Sequence, residues 1–353
     1  MTTMAQAVRL ALHVGEERLG VTDIFGEDVG PPLGGVFTCT QGLRTAWNSP
    51  LDERGIVGAA MGLALAGQRP VCEIQFSDYA YNTIDLLKLA GAMHWSSNGD
   101  WNCPMVLMTP VGAGIRGSLY HSHSFEATAT HIPGWRVVLP SSPRDAYGLL
   151  LTALREPNPV MFLVPKALMR YRGEEGEDVP GAPEQKALDE LINKPVTGDQ
   201  SQWQPRWPDT PDLFIPFGQA RTVRPGRDVT VVTYGRHVLV ARKVAHELAR
   251  EGIEAEVIDL RSLCPYDWSA VSASVRKTHR VVFLNEELEV TNFGEHLLRR
   301  TVDELFYELW APPKLLAGAM VPGVGLADTL ERASVPQEDD LARVVRELAA
   351  HRP

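Results

Sequence analysis

Two α/β domains, each with a mostly parallel sheet flanked by helices, are the fold the sequence predicts. Three observations carry that expectation. Short runs rich in Val, Leu and Ile alternate with helical patterns, which is how a parallel sheet buried on both faces reads. A length of 353 residues corresponds to roughly two domains at about 150 residues each. A polar stretch from Arg172 to Arg227, punctuated by prolines, separates the two sets of strands.

Residues 1–172 form the first predicted domain. Its strands include Met105–Met108, Trp135–Leu139 and Val160–Val164. Between the last two, Ala146, Leu149, Leu150 and Ala153 make one stripe of a helix over Arg144–Arg155, begun by Ser142 or Pro143. An amphipathic pattern follows the N-terminus, and Ile56–Leu65 is an apolar helix. Residues 173–227 read as an extended Pro-rich linker with at most one short helix, near Gln185–Ile192. The fold resumes over 228–353. Strands are expected at Val229–Thr233, Glu256–Leu260 and Arg280–Leu284. Helices are expected at His237–Arg250, with Val240, Val244 and Leu248 inward, and at Asp267–Lys277.

Composition excludes several classes. With 34 Lys+Arg against 44 Asp+Glu the net charge is −10, so the chain's own field opposes a nucleic-acid backbone. No apolar run approaches the about 20 residues that cross a bilayer, and no membrane partner is expected. The N-terminus has no h-region or small-residue cleavage site. The 4 cysteines, Cys39, Cys72, Cys103 and Cys264, are far apart in apolar surroundings, which reads as reduced thiols in a cytoplasmic protein rather than a disulfide or zinc framework.

Three stretches offer chemistry. Gly26-Glu27-Asp28-Val29-Gly30, with Gly34-Gly35 following, is dense enough in glycine for a tight turn or a close approach to a ligand. Glu53 stands before the apolar helix. It reads first as a helix cap, and alternatively as a desolvated carboxyl able to hold or share a proton near neutral pH. The third stretch, Gly112 to Ser124, follows a strand of the predicted parallel sheet, at the carboxyl end where such sheets place ligands. Its Gly-x-Gly-x-x-Gly spacing leads into Ser and His residues instead of an apolar helix, so a dinucleotide site is not expected. His121 and His123 lack a third zinc ligand at suitable spacing, and no Gly-x-Ser-x-Gly elbow supports a serine hydrolase. One of the two histidines is therefore read as a proton donor or substrate anchor.

Taken in order, Gly26-Glu27-Asp28-Val29, Pro50-Leu51-x-Glu53, Glu73-Ile74-Gln75-Phe76-x-Asp78-Tyr79, Leu119-Tyr120-His121-Ser122-x-Ser124-x-Glu126-Ala127 and Val257-Ile258-Asp259-Leu260-Arg261-Ser262-Leu263-x-Pro265 resemble one family. It is the beta subunit of the E1 component of 2-oxo acid dehydrogenase complexes, nearest the branched-chain type. The resemblance implies a thiamine diphosphate pyrimidine-binding domain followed by a transketolase C-terminal-like domain. It implies oxidative decarboxylation of a branched-chain 2-oxo acid and acyl transfer to lipoyl-E2. Glu53 then matches the glutamate that bonds the pyrimidine N1′, and Leu51, Gln75, Phe76 and Tyr79 match its pocket. His121 matches the active-site histidine.

The Gly-Asp-Gly motif that holds Mg²⁺ and the diphosphate does not occur in this sequence. The resemblance therefore assigns Mg²⁺ to an alpha subunit, in an α₂β₂ heterotetramer with a second beta subunit. Some members place a potassium ion on backbone carbonyls, and the matching positions are Met105, Val106, Ala153, Glu156 and Asn158. His123, Phe125 and the stretches Asn285–Glu289 and Met320–Gly325 depart from the family pattern. The alternatives are a pyruvate or acetoin dehydrogenase beta subunit, or a non-catalytic beta-like scaffold.

Overall fold

Residues 1–352 are described by a computed structural model, the side chain of Val36 excepted. The chain divides into two units. The first takes Met1–Pro110, Ile132–Val164 and Leu168–Pro216; the second takes Val111–His131, Pro165–Ala167 and the chain from Phe217 onward.

The first sheet contains β1 (Asp23–Gly26), β2 (Ala46–Asn48), β3 (Pro70–Glu73), β4 (Val106–Val111), β5 (Arg136–Val138) and β6 (Val160–Pro165), in the order β5-β6-β4-β3-β1-β2. β1 runs parallel to both β2 and β3, as does β3 to β4 and β5 to β6. Every residue of β3, β4 and β6 is buried, which is why these strands read as unbroken apolar runs rather than alternating ones.

Helices α1 (Met4–Arg18), α2 (Glu53–Leu65) and α3 (Ile84–Ser96) belong to this unit, α4 (Glu126–Thr130) to the second, and α5 (Pro143–Arg155) and α6 (Gln185–Ile192) again to the first. The Ser142 side chain caps α5 by accepting from the Asp145 N–H at 3.2 Å, with Pro143 opening the helix. Thr3 and Gln6 close a capping box on α1.

The amphipathic reading of α1 is corrected by its burial. Met4 to Leu12 are all buried, Arg9 among them, because α1 packs on α5 and is covered by residues downstream of 172. Gly15 permits the approach to α5: a Cβ there would meet Leu154 Cδ1 at 2.7 Å.

The extended linker expected over 173–227 is corrected too. Its first part is laid down on the first unit by apolar side chains between the prolines, with Val179, Leu188, Ile192 and Ile215 buried. Arg18 Nη2 donates to Thr210 O at 2.6 Å, Tyr147 OH to Thr210 Oγ1 at 2.9 Å, and Ile215 N to Gly148 O at 3.2 Å. Its last residues, 221–224, are already a strand of the second sheet.

Arg9, 1% exposed, holds this arrangement. It donates to Ile192 O at 2.5 Å, Asn193 Oδ1 at 3.0 Å, Thr38 O at 2.9 Å and Thr38 Oγ1 at 2.9 Å. Burial lowers its pKa to about 10, which leaves it charged. Arg9→Met fills similar volume but strands these acceptors, and unfolding free energy should fall by about 2–4 kcal/mol. Chemical denaturation measures this, and an unchanged midpoint would show that the segment does not depend on Arg9.

The second unit contains β7 (Arg221–Arg224), β8 (Val229–Thr233), β9 (Ala255–Asp259), β10 (Ser262–Cys264), β11 (Val281–Leu288) and β12 (Lys314–Gly318). Five of these form a sheet in the order β12-β11-β8-β9-β7. β7 is antiparallel to β9 at the edge, and the other pairs are parallel. Helices α7 (His237–Ala249), α8 (Trp268–Thr278), α9 (Phe293–Leu305), α10 (Asp328–Ser334) and α11 (Glu338–Ala350) complete it. Val244 and Leu248 of α7 face inward as expected, joining Val231, Val257, Leu284 and Leu341 in one core. Val240, also expected inward, is only partly buried against that core.

Candidate active site

In the first unit, two turns at strand ends bring acidic and aromatic groups together. β1 ends at Gly26 and delivers Glu27 and Asp28, the latter at φ 56°. β3 ends at Glu73 and delivers Gln75, Phe76 and Tyr79. Gln75 Nε2 donates to Asp28 Oδ2 at 3.1 Å. Phe76 and Tyr79 pack edge to face with centroids 6.0 Å apart, a preferred aromatic geometry.

Glu53 opens α2, where Asn82 Nδ2 donates to its Oε2 at 3.1 Å. Asp52, the residue at the cap position, makes no side-chain capping bond. The helix buries Ile56, Val57, Ala60, Met61 and Ala64, one turn beyond Glu53. Glu53 itself is half-buried. Leu51, 81% exposed, projects from the same turn.

The structure adds Glu27 to this set. Burial, then the charges of Glu53 and Asp28, raise its carboxyl pKa, and its Oε1 is buried without a hydrogen-bond partner. Burial, then Asp78, Glu27 and Glu53, raise the Tyr79 phenol likewise. Glu27, Glu53 and Tyr79 thus form one electrostatic cluster, with Asn82 beside it. The glycine-rich motif pointed to Glu27's neighbourhood but gave it no role, and Asn82 carried no sequence signal.

His121 belongs to the second unit. Its loop leaves β4 through Gly112 and Gly114, at φ 87° and 103°, and closes on itself where Gly112 N donates to His123 O at 2.8 Å. His121 Nδ1 lies 3.2 Å from Gly117 O. A carbonyl only accepts, so in this contact Nδ1 carries a proton, which in the neutral ring leaves Nε2 as the acceptor.

The carbonyls considered for potassium are partly engaged. Met105 O accepts from Val160 N at 3.0 Å, Ala153 O from Glu156 N at 3.2 Å, and Glu156 O from the Arg69 guanidinium at 3.4 Å. Asn158 Nδ2 donates to Glu156 Oε1 at 3.3 Å. Among the described residues, His13, Glu16 and Glu17 are grouped closely enough to hold a metal ion, but Glu16 already accepts from Arg44 N, Thr45 N and Thr45 Oγ1. A cavity of about 550 Å³ beside them, lined by Trp203 and Trp207, contains none of the predicted site residues. None of the 4 cysteines is in a disulfide. No helix among the described residues is long and apolar enough to cross a membrane.

Comparison with known proteins decides the family. The transketolase pyrimidine binding domain matches residues 1–172 and the transketolase C-terminal domain residues 218–341. A "2-oxoisovalerate dehydrogenase subunit beta" from Pseudomonas aeruginosa is 39% identical over 91% of this chain and 88% of its own length. The chain belongs to the E1 beta-subunit family of 2-oxo acid dehydrogenases. A "Pyruvate dehydrogenase E1 component subunit beta" from Acholeplasma laidlawii is 34% identical over 99% of each chain. A solved split-gene transketolase, 19% identical, shares the fold with a TM-score of 0.72 over 100% of both chains.

Proposed function

We propose that this E1 beta chain, paired with an alpha subunit, oxidatively decarboxylates a branched-chain 2-oxo acid and passes the acyl group to lipoyl-E2. The greater identity to a 2-oxoisovalerate dehydrogenase subunit, 39% against 34% for the pyruvate relative, carries the choice of substrate. The second reading, pyruvate as substrate, has that lower-identity relative in its favour.

Thiamine diphosphate fits the residues at hand. Glu27 Oε1 is a buried acceptor still to be satisfied, Glu53 supplies a carboxylate beside it, and Phe76 and Tyr79 offer an aromatic wall. When bound, the cofactor supplies a carbanion at its thiazolium ring. Glu53 would hold the proton at the pyrimidine N1′, with its carboxylate fixed by Asn82. Gln75, tied to Asp28, sets the edge of the pocket, and Leu51 covers it from the exposed turn. A half-buried Glu53 requires a second surface to exclude water, which is the place for the alpha subunit. That subunit also brings the Mg²⁺ and diphosphate site, for which this sequence lacks the motif. His121 Nε2 orients the 2-oxo acid or assists acyl transfer. None of these steps needs a potassium ion.

Co-expression with the alpha partner tests the substrate. kcat/KM for 3-methyl-2-oxobutanoate should exceed that for pyruvate roughly 10²–10⁴-fold, since it has two more carbons and each is worth about 10–200-fold in an apolar pocket. A ratio inverted in favour of pyruvate would establish the second reading.

A further inference from the structure

The loop carrying His121 is seated on carboxylates that the proposed mechanism leaves unused. Glu286 and Glu287 lie at the end of β11, Glu331 on α10 and Glu126 at the start of α4, and all but Glu286 are more than nine-tenths buried. Glu286 Oε2 accepts from Ala113 N at 3.1 Å and is ion-paired at 2.9 Å with Arg236. Glu331 Oε1 accepts from Gly114 N. Glu287 Oε2 accepts from Ala127 N at 3.4 Å, beyond the other end of the loop. Arg116 meets Asp328 at 3.1 Å on the surface. Gly112 cannot be replaced without loss, since a Cβ there would collide with Glu286 Oε1. These contacts all lie inside the second unit.

We propose that Glu286, Glu287 and Glu331 are positioning residues that clamp both ends of the His121 loop through backbone N–H groups, so that the second unit sets where the histidine stands. The proposal rests on the role given to His121 and deepens it. A carboxylate accepting from an N–H makes a stronger bond than a neutral acceptor, and two clamps bracket the short stretch between Gly114 and Ala127.

The same carboxylates make the clamp sensitive to pH. Burial, then Glu286, raise the Glu287 pKa to about 7. Burial, then Glu287 and Glu286, push Glu126 well above the usual carboxylate range. The groups facing them are Glu286, Arg236, Lys166, Tyr234, whose phenol is raised by burial and these acids, and His237, held near neutral form by burial at about 4. Ser122, Ser124 and His123 line a cavity of about 100 Å³ with Glu286 and Glu287. Ionising Glu287 strengthens its bond to the Ala127 N–H, but it also places a second buried negative charge beside Glu286, and the raised pKa shows that this cost is the larger, so this end of the clamp loosens as pH rises through about 7.

Amide hydrogen exchange and steady-state kinetics on the assembled α/β complex test this. In Glu331→Ala, exchange at Gly114 should quicken at least 10-fold and kcat should fall with cofactor affinity unchanged. Glu331→Gln, which keeps an acceptor, should restore both. In the parent, exchange across residues 112–127, corrected for its intrinsic pH dependence, should rise between pH 6 and 8, and Glu287→Gln should flatten that rise. The last arm stands even where Glu331→Ala does not fold. Unchanged exchange in Glu331→Ala, or quickened exchange with unchanged kcat, overturns the proposal. A parent complex that turns over no 2-oxo acid overturns the proposed function instead, while the exchange arms still decide whether the clamp exists.

Discussion

Glu53→Gln in the assembled complex should lower decarboxylase turnover by roughly 10²–10⁴-fold, the range that a positioned proton-transfer group contributes. The substitution keeps the shape of the side chain, and the amide can still accept from Asn82 at the position Oε2 now holds. What it removes is the ability to keep a proton on the pyrimidine N1′. The loss should therefore fall on kcat, with little change in stability, because Glu53 is half-buried and makes no cap bond that the fold needs. Steady-state kinetics beside thermal unfolding separate the two. A variant at the parent rate would remove Glu53 from the mechanism.

The purified chain alone, given thiamine diphosphate and Mg²⁺, should show no turnover above the uncatalysed background. Two physical reasons combine. Magnesium needs a near-octahedral set of carboxylate, phosphate and water oxygens, and the sequence lacks the Gly-Asp-Gly motif that would begin one. Leu51 and the Glu53 turn are also open to water in the single chain, so charge developing on the cofactor would be screened rather than stabilised. Adding the alpha subunit should restore activity, with a dependence on its concentration that reports the α/β affinity. Turnover by the single chain would show that it binds the whole cofactor itself.

Much of the architecture was legible because the sheets are parallel and buried. Strand β8 and helix α6 have the bounds that pattern and breakers suggest, and β4, β6, β9 and β11 differ from expectation mainly at their ends, where hydrogen bonding rather than apolarity decides. The burial of α1 was not legible. Its cover comes from residues downstream of 172, and nothing local shows that Arg9 reaches Ile192 and Thr38. The same tertiary folding hid the character of the Pro-rich segment, whose buried side chains are too scattered to make a period. For the site, Glu53, Gln75, Phe76, Tyr79 and His121 stood out as motif residues. Glu27 stood in a quoted motif without a role of its own, because its importance lies in approaching Glu53 across the fold. Glu286 and Glu287 registered only as departures from a pattern, and their contact with Ala113 and Ala127 exists only in three dimensions.

The most direct test of the central claim measures the cofactor rather than the product. In the assembled complex, deuterium exchange at the thiazolium C2 of bound thiamine diphosphate reports how readily that carbon loses its proton. Exchange in the parent should exceed that in Glu53→Gln by the same roughly 10²–10⁴-fold expected for turnover. Equal exchange rates in the two complexes, with the cofactor bound in both, would contradict the assignment of Glu53 as the group that activates it.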